Sequence, residues 1–508
     1  MKDRCANNKF AILCVVLIFI TMFVFFAFIS PSVPYDADDW NYLSKFPVTP
    51  IPTPPFDAWN PSRIFPEHMM PAAGYFSAFV VYPLTGDYLL SISITTALLL
   101  SIFLSVFYLS LYRLFHSLDN NKSACAIIGL FAIALCFALL KSKMTQNLHL
   151  FIVYSLNLHY FYTLPNIFNS IIVCELMRLY IKGSLSFRNI PRKAPALIVL
   201  LYFCVFSMLF STLTLLAFAI SVLLFKFVDS VFRRKEKLLL RLKDFGVDSW
   251  KHSNIVVVSI ILILFAMIAE SFGGRARWDN GSTYSESLFS SGFISRIFEA
   301  SKNLLGLVRT FNTQVLAIIA LIVCLAVGTY IYHRKRTPAS ANVKAAQVSF
   351  LSCVIAFISV VLVSGKGGTQ YANDIRSVYS VFFFGILFIS LAAVYLYKNI
   401  PIVRRLLPLA TVLVILIAVN SRWPYAYTYE RTHTQSVLIE SYIEMAVEAD
   451  KNGDPVVELK VPGYTTLRNW PIHLDSWGEA FSNTLYSHHI TSSRIEFVLI
   501  IDDALPAP

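Results

Sequence analysis

Long apolar runs separated by short polar loops dominate this chain. A run of about 20 apolar residues is long enough to cross a bilayer as a helix. The pattern predicts eleven membrane-spanning helices, near residues 10–30, 88–112, 124–140, 165–181, 195–211, 213–231, 254–270, 312–332, 345–364, 377–397 and 406–421. The least distinct boundary lies between the fifth and sixth helices, which only residues 211–214 separate.

Basic residues gather in every second loop of this pattern. The clusters lie at residues 2–9, 178–193, 233–243, 334–336 and 398–405. If all eleven segments cross the membrane, every cluster falls on the same side, and the excess of Lys and Arg marks that side as cytoplasmic. The sequence therefore predicts a cytoplasmic N-terminus and a C-terminus outside.

The longer polar segments fall on the opposite, outer side, at 31–87, 141–164, 271–311 and 364–376. The stretch 72–83 is apolar but too short to span, so we expect it to lie along the interface or to re-enter the membrane. Residues 292–308 are amphipathic at helical spacing. The outer side thus has enough chain to build a site.

The composition changes after residue 421 to that of a small soluble domain. The pattern predicts a helix at 434–450, a turn at 451–454, and strands at 455–461 and 494–501. We therefore predict two domains: a transmembrane domain at 1–422 with outer loops, and an outer α/β domain at 423–508. The predicted fold class is an all-α polytopic membrane protein with a small α/β C-terminal domain.

Composition excludes several classes of function. Of the 508 residues, 56% are hydrophobic and 14% are charged, whereas soluble domains carry about 25% charged residues. The net charge of +12 reflects the basic loops and does not predict nucleic-acid binding. The glycines around Lys366 do not match a phosphate-binding loop, and no nucleotide fingerprint occurs elsewhere. The sequence therefore predicts no site for a nucleotide-activated substrate.

The acidic cluster Asp36, Asp38 and Asp39 follows the first apolar run directly. Glycosyl transfer to a hydroxyl requires a base that takes the acceptor proton. If the leaving group is a lipid phosphate, it needs positive charge or a metal to stabilise it, and no acid. Asp38 or Asp39 is the candidate catalytic base; the alternative is that the cluster is a solvated polar helix end.

Outer arginines are the candidate donor-phosphate ligands, because a guanidinium binds phosphate bidentately. The candidates are Arg63 in the first outer loop, Arg376 at the start of the tenth span and Arg275 in the third outer segment. Pairing with outer acids or lipid headgroups is the alternative for each of them.

Further residues of the first outer loop are candidates for a secondary acid or for acceptor contacts. They are Glu67, His68, Trp40 and Trp59, the aromatic ones because rings stack on sugars. No His spacing defines a metal site. Mg²⁺ or Mn²⁺ is compatible with the chemistry, but the sequence requires neither.

The chain resembles membrane glycosyltransferases of the GT-C class, and among them bacterial O-antigen glucosyltransferases of the serotype-conversion type. The resemblance rests on residues 38–43 (DDWNYL), on Arg63 in the same loop and on Arg376 in the segment 374–379 (DIRSVY). It implies a GT-C-like fold and a carboxylate base soon after the first span. It also implies transfer of a sugar, glucose in that family, from an undecaprenyl-phosphate donor to O-antigen or another periplasmic glycan at the bacterial inner membrane.

Two alternative functions remain open. An O-antigen polymerase or ligase also carries outer arginines, but it gives the early carboxylates no special role. A lipid-linked glycan transporter or flippase would need ionisable residues lining a path within the spans. Glu175, near the inner end of the fourth apolar run, is nearly the sole candidate.

Overall fold

A computed structural model gives the fold of the protein. It describes every residue except 1, 53–58, 141–149, 154, 234–237, 273–290, 335–339, 421, 463–473 and 503–508. Within the described residues the chain is almost wholly helical, with one small sheet.

Each of the eleven predicted spans is a helix. They are α1 (Lys2–Val24), α5 (Tyr88–His116), α6 (Lys122–Ala138), α8 (Leu164–Ile181), α9 (Ala194–Val205), α10 (Leu209–Arg233), α11 (Leu238–Phe272), α13 (Thr313–Arg334), α14 (Ala341–Gly367), α15 (Tyr379–Asn399) and α16 (Val403–Asn420). Among the described residues, nine of these helices are long and apolar enough to cross a membrane. The remaining two, α6 and α9, are shorter apolar helices. The protein is therefore a helical, multi-pass membrane protein.

The break between α9 and α10 lies at residues 206–208, not at 211–214 as the sequence suggested. Thr212 is inside α10, where its hydroxyl donates to the carbonyl of Met208 at 2.9 Å and to that of Val205 at 3.1 Å. A threonine that bonds back to the preceding turn is compatible with a helix. Polar residues within a membrane helix therefore gave the false boundary.

Side-chain caps fix the starts of two of the spans. The carboxylate of Asp87 accepts a hydrogen bond from the N–H of Leu90 at 2.9 Å before α5. The amide oxygen of Asn121 accepts one from the N–H of Ala124 at 3.0 Å before α6. Each cap satisfies an N–H that lacks a partner within the helix.

The connections between the spans fall at two ends of the helical bundle. At one end, Asn121 donates to Tyr397 Oη at 3.0 Å, and the N–H of Ile255 donates to the carbonyl of Leu185. This end contains the described basic loops, and we call it the basic end. The other end contains the acidic cluster, and we call it the aspartate end. Its connections also meet: Asn166 Nδ2 donates to the carbonyl of Arg376 at 3.1 Å.

Short helices build the aspartate end. They are α2 (Ala37–Ser44), α3 (Ile64–Phe76), α4 (Tyr82–Thr85), α7 (Leu156–Leu158) and α12 (Ser291–Gly306). A π-helical turn, Ser77–Val81, joins α3 to α4, so the apolar stretch 72–83 is helical. Its side chains Phe76, Phe79, Val80 and Leu84 are exposed, which suits a membrane interface. The amphipathic stretch 292–308 is α12 and the turn after it.

The C-terminal part contains α17 (Arg422–Asn452), β1 (Val456–Pro462), α18 (Leu474–Ser487) and β2 (Glu496–Asp502). Both predicted strands are present, and they pair in parallel with Val456 opposite Glu496. The sequence pattern predicts a loop between the strands, whereas the structure has α18 there. Parallel strands need a crossover connection, and a helix usually provides it.

Candidate functional site

Helix α2 carries the acidic cluster and starts with a reciprocal cap. The Asp36 carboxylate accepts from the N–H of Asp39 at 3.0 Å, and the Asp39 carboxylate accepts from the N–H of Asp36 at 3.3 Å. This capping box satisfies two N–H groups at the helix start, where negative charge is also favourable. Asp36 and Asp39 therefore both stabilise the start of α2.

Asp39 is fully buried and joins two segments that are distant in sequence. Its Oδ1 accepts from Ser155 Oγ at 3.0 Å and from the N–H of Asn157 at 2.7 Å. Its Oδ2 accepts from the N–H of Tyr35 at 3.0 Å. Burial and the neighbouring Asp36 raise the pKa of Asp39, and the hydrogen bonds act against that shift. The geometry assigns Asp39 to holding the first outer loop against residues 155–157.

Asp36 is half-buried at the start of the same helix. Burial raises the pKa of its carboxyl to about 6. The hydrogen bond from the N–H of Asp39 lowers this pKa, and the nearby charge of Asp38 raises it. The Asp36 carboxyl therefore keeps its proton to a higher pH than an ordinary aspartate does.

Asp38 is exposed, in contrast to its neighbour Asp39. It shares a face of α2 with Tyr42, one helical turn further on. Burial raises the pKa of Tyr42, while the charge of Arg63 lowers it. Arg63 Nη1 donates to Tyr42 Oη at 3.2 Å and pairs with Glu67 Oε1 at 3.1 Å. The structure therefore brings Asp38, Tyr42, Arg63 and Glu67 into one cluster.

Arg376 lies at the same end, before α15. Its Nε and Nη2 donate to both oxygens of the Asp374 carboxylate, at 2.9 Å for Nε to Oδ1 and 2.5 Å for Nη2 to Oδ2. Its guanidinium lies 5.0 Å from the centre of the Tyr162 ring. Phe161 contacts Tyr42, with ring centres 4.9 Å apart. Residues 161–162 therefore connect the Arg376 region to the Asp38 cluster.

The remaining candidates of the first outer loop pack into the protein. Trp40 is fully buried, and its ring meets those of Trp477 and Phe481. Trp59 contacts Phe206 and Phe265. These positions favour packing for both tryptophans, and their contact with an acceptor stays a prediction.

His68 is part of α3 and bonds to its own helix. Its Nδ1 lies 2.8 Å from the carbonyl oxygen of Ile64, and its ring contacts Phe46. Arg275 lies outside the described residues. Among the residues that the structure describes, no group of three or more His, Cys, Asp or Glu side chains could hold a metal ion.

Helix α18 of the C-terminal part packs directly on α2. Trp477 Nε1 donates to the carbonyl of Tyr35 at 2.9 Å, and Thr484 Oγ1 donates to that of Trp40 at 2.6 Å. The Thr484 hydroxyl also lies 2.9 Å from Ser44 Oγ. The face of α2 opposite Asp38 is therefore held by the C-terminal part.

Gly74 allows α3 to approach α2 closely. A Cβ atom at this position would overlap the carbonyl oxygen of Leu43 and meet the ring of His488. The close approach places α3, which carries Glu67, beside the helix that carries Asp38. A side chain here would separate the two helices, so glycine is required.

Sequence reasoning missed the residues that hold the cluster in place, namely Ser155, Asn157, Trp477 and Thr484. A local signal existed for one feature. An acidic residue at 36 and another at 39 match the spacing of a capping box. The partners of Asp39 and Trp40 left no such signal, because they lie far along the chain.

Comparison with known proteins adds little. No known protein family and no curated protein matches the chain. Among solved structures, the fold is similar to the Archaeoglobus fulgidus oligosaccharyltransferase, crystallised in complex with zinc and sulfate, with a TM-score of 0.38 and 13% identity. The similarity covers 94% of this chain and 61% of that enzyme, so this chain spans less than two thirds of its length. At this TM-score we draw no conclusion about function from it.

Proposed function

We propose that the protein is an integral membrane glycosyltransferase that uses a polyprenyl-phosphate-linked sugar, with Asp38 as the general base. One observation carries the proposal. Asp38 is an exposed carboxylate one helical turn from Tyr42, whose hydroxyl accepts a hydrogen bond from Arg63, whereas the carboxylates around it are already bound. Asp39 accepts four hydrogen bonds, and Glu67 pairs with Arg63. Asp38 is therefore the carboxylate that an acceptor hydroxyl can reach.

The reaction needs few groups. An acceptor hydroxyl donates its proton to Asp38 while its oxygen attacks the anomeric carbon of the donor sugar. The bond between that carbon and the phosphate oxygen breaks, and the polyprenyl phosphate leaves with the electron pair. Positive charge near the phosphate stabilises the leaving group. Atoms and charge balance without a further reactant.

Arg376 and Arg63 are the proposed phosphate ligands, and Arg275 is a third. Both described arginines already bind a carboxylate, Asp374 and Glu67 respectively. A donor phosphate would compete with that carboxylate for the guanidinium, so the two pairs set how tightly the donor binds. The bidentate Asp374 pair also fixes the plane of the Arg376 guanidinium.

The finer assignments rest on the sequence resemblance. These are an undecaprenyl-phosphate carrier, glucose as the sugar, O-antigen or another periplasmic glycan as acceptor, and the bacterial inner membrane with a cytoplasmic N-terminus. The aspartate end would then face the periplasm. We also propose the division into a transmembrane domain at 1–422 and a C-terminal domain at 423–508. Because α18 packs on α2, these domains would form one site together.

The structure gives a transporter little support. Glu175 pairs with Arg113 at 3.1 Å and with Arg178 at 2.6 Å, at the basic end. These contacts bind the carboxylate into a local ion-pair network. A carboxylate that relays an ion or a proton would instead line a path.

The test compares cells that produce the wild-type protein with cells that produce Asp38→Asn at equal level. Mass spectrometry of the surface glycan detects the added sugar by its mass, whichever sugar it is. We expect a loss of about 100-fold or more in the transfer rate, the size typical for a general base. Asp36→Asn is the matched control, since asparagine retains the helix cap. Full modification by Asp38→Asn would refute Asp38 as the base.

A further inference from the structure

A second candidate site lies at the basic end, far from the acidic cluster. Helix α11 bends at Ser253, whose backbone angles (φ −144°, ψ 31°) are not helical. The part of α11 before the bend therefore departs from the direction of the span that follows. Between this part and the turn Phe187–Asn189 lies a cleft of about 420 Å³. Its lining residues are Arg188, Gly246, Val247, Trp250, Lys251 and Asn254.

Two hydrogen bonds from backbone N–H groups hold the walls of the cleft together. The N–H of Phe187 donates to Asn254 Oδ1 at 2.9 Å. The N–H of Ile255 donates to the carbonyl of Leu185 at 3.3 Å. These bonds hold the turn that carries Arg188 against α11. Arg188 and Lys251 therefore stay on the same cleft without a ligand.

The charges of α11 are divided between two faces. Val247, Trp250 and Lys251 have the i, i+3, i+4 spacing of one helix face, and Asn254 follows the bend at Ser253. Asp248 lies outside this set and pairs with Lys226 at 3.3 Å. Of the described residues that line the cleft, two are cations and none is a carboxylate. Two cations on one concave surface favour an anionic ligand.

The walls of the cleft are partly apolar and exposed. The side chains of Trp250 and Val247 are 58% and 60% exposed. Both helices beside the cleft also expose apolar side chains, which are Ile198, Val199 and Leu200 on α9 and Ile261 and Leu264 on α11. Tryptophan at the end of a span is typical of the membrane–water interface. The surface therefore combines a basic head region with an apolar flank.

We propose that this cleft binds the phosphate headgroup of an anionic phospholipid. Arg188 and Lys251 contact the phosphate, Trp250 lies at the level of the glycerol backbone, and the acyl chains run along α9 and α11. Basic pockets between membrane helices bind anionic headgroups by this combination of charge and apolar contact. The site is independent of the proposed glycosyl transfer.

The test measures the affinity of the purified full chain for short-chain phosphatidylglycerol, with phosphatidylcholine as the neutral lipid. We expect Arg188→Gln/Lys251→Gln to weaken phosphatidylglycerol binding roughly thirty-fold, about five-fold for each basic residue. The matched control is Lys398→Gln/Arg405→Gln, which removes the same charge at the same end of the bundle. We expect the control to change the affinity less than about two-fold.

Three outcomes would overturn the proposal. Equal losses in both double variants would mean that only the total charge of the basic end matters. Competition by millimolar inorganic phosphate would indicate a site for a free anion. Equal binding of phosphatidylcholine would remove the role of the anionic headgroup. A second experiment measures tryptophan fluorescence in the presence of lipid with brominated acyl chains. The brominated lipid should quench the fluorescence of the wild-type protein more than that of Trp250→Phe. Equal quenching would contradict the placement of Trp250.

Discussion

The aspartate end and the basic end of the bundle differ in how far their charged side chains are buried. At the aspartate end, two carboxylates are buried among partners: Asp39 is fully buried, and the side chain of Glu67 is 3% exposed. At the basic end, the side chain of Glu175 is 23% exposed, and most of the described cations of the loops face outward. The charged groups of the aspartate end therefore have partners in fixed positions, whereas most of those at the basic end are exposed.

Burying a charge is unfavourable unless its partners are fixed in good geometry. The aspartate end meets this condition with contacts between segments that are far apart in the chain. The basic end needs no such contacts, because water and lipid headgroups can solvate its charges. A group that must act chemically at a fixed position is therefore better supported at the aspartate end. The basic end is suited to orientation in the membrane and to lipid binding.

The largest expected effect is that of Asp39→Asn on the free energy of unfolding. The amide oxygen can replace one carboxylate oxygen, but the amide NH₂ then faces two donors. Those two donors are either Tyr35 and Asp36 or Ser155 and Asn157. Each unsatisfied buried donor costs about 1–3 kcal/mol, so we expect a loss of about 3 kcal/mol. Titration of the purified protein with a denaturing detergent measures it.

Asp38→Asn is the matched control for this stability measurement. Asp38 is exposed, and a surface substitution of this kind changes stability by about 0.5 kcal/mol or less. If Asp39→Asn proved as mild as Asp38→Asn, the assignment of Asp39 to structure would be wrong. The pair then separates loss of folding from loss of chemistry, because of these two aspartates only Asp38 has a chemical role in the proposed function.

The membrane-spanning helices were predictable from the sequence because a helix that crosses the bilayer must be apolar over about 20 consecutive residues, and such a run is visible locally. Each of the eleven apolar runs is a helix, and the strand predicted at 494–501 is present as β2. The amphipathic spacing of Trp477, Phe481 and Leu485 could also have predicted α18.

The roles of the neighbouring aspartates were not predictable in the same way. The bonds from Ser155 and Asn157 to Asp39 span 116 and 118 residues. The contact of Thr484 with Trp40 spans 444 residues. No local pattern encodes such contacts, so the sequence left Asp38 and Asp39 equivalent. Burial distinguishes them, and burial depends on the tertiary fold.

A smaller effect is expected in the pH dependence of stability through Asp36. The pKa of this carboxyl is raised from 3.8 to about 6 in the folded protein. Between these values the native protein holds a proton that the unfolded chain releases, so the free energy of unfolding falls as pH rises through this window. Asp36→Asn removes the titration, and we expect the slope between about pH 4 and pH 6 to become flatter. Because Asp36 is only half-buried, the change is on the order of 1 kcal/mol.

The control for this measurement is Asp87→Asn, which also retains a helix cap. If Asp36→Asn left the slope between about pH 4 and pH 6 unchanged, Asp36 would not be the titrating group. A steeper slope would mean that its folded pKa is lowered and that the sign of the linkage is reversed.

The smallest effect is expected for Glu175→Gln at the basic end. The substitution removes the charge that pairs with Arg113 at 3.1 Å and with Arg178 at 2.6 Å. Both arginines are partly exposed and can be solvated after the change, so we expect a loss of about 1 kcal/mol or less, and less still at high salt. Asp248→Asn is the control, because its side chain is 56% exposed and its pair with Lys226 should contribute even less. A loss as large as that of Asp39→Asn would contradict the contrast between the two ends. It would mean that the basic end also depends on fixed charges. Glu175 would then again be a candidate residue for the transporter alternative.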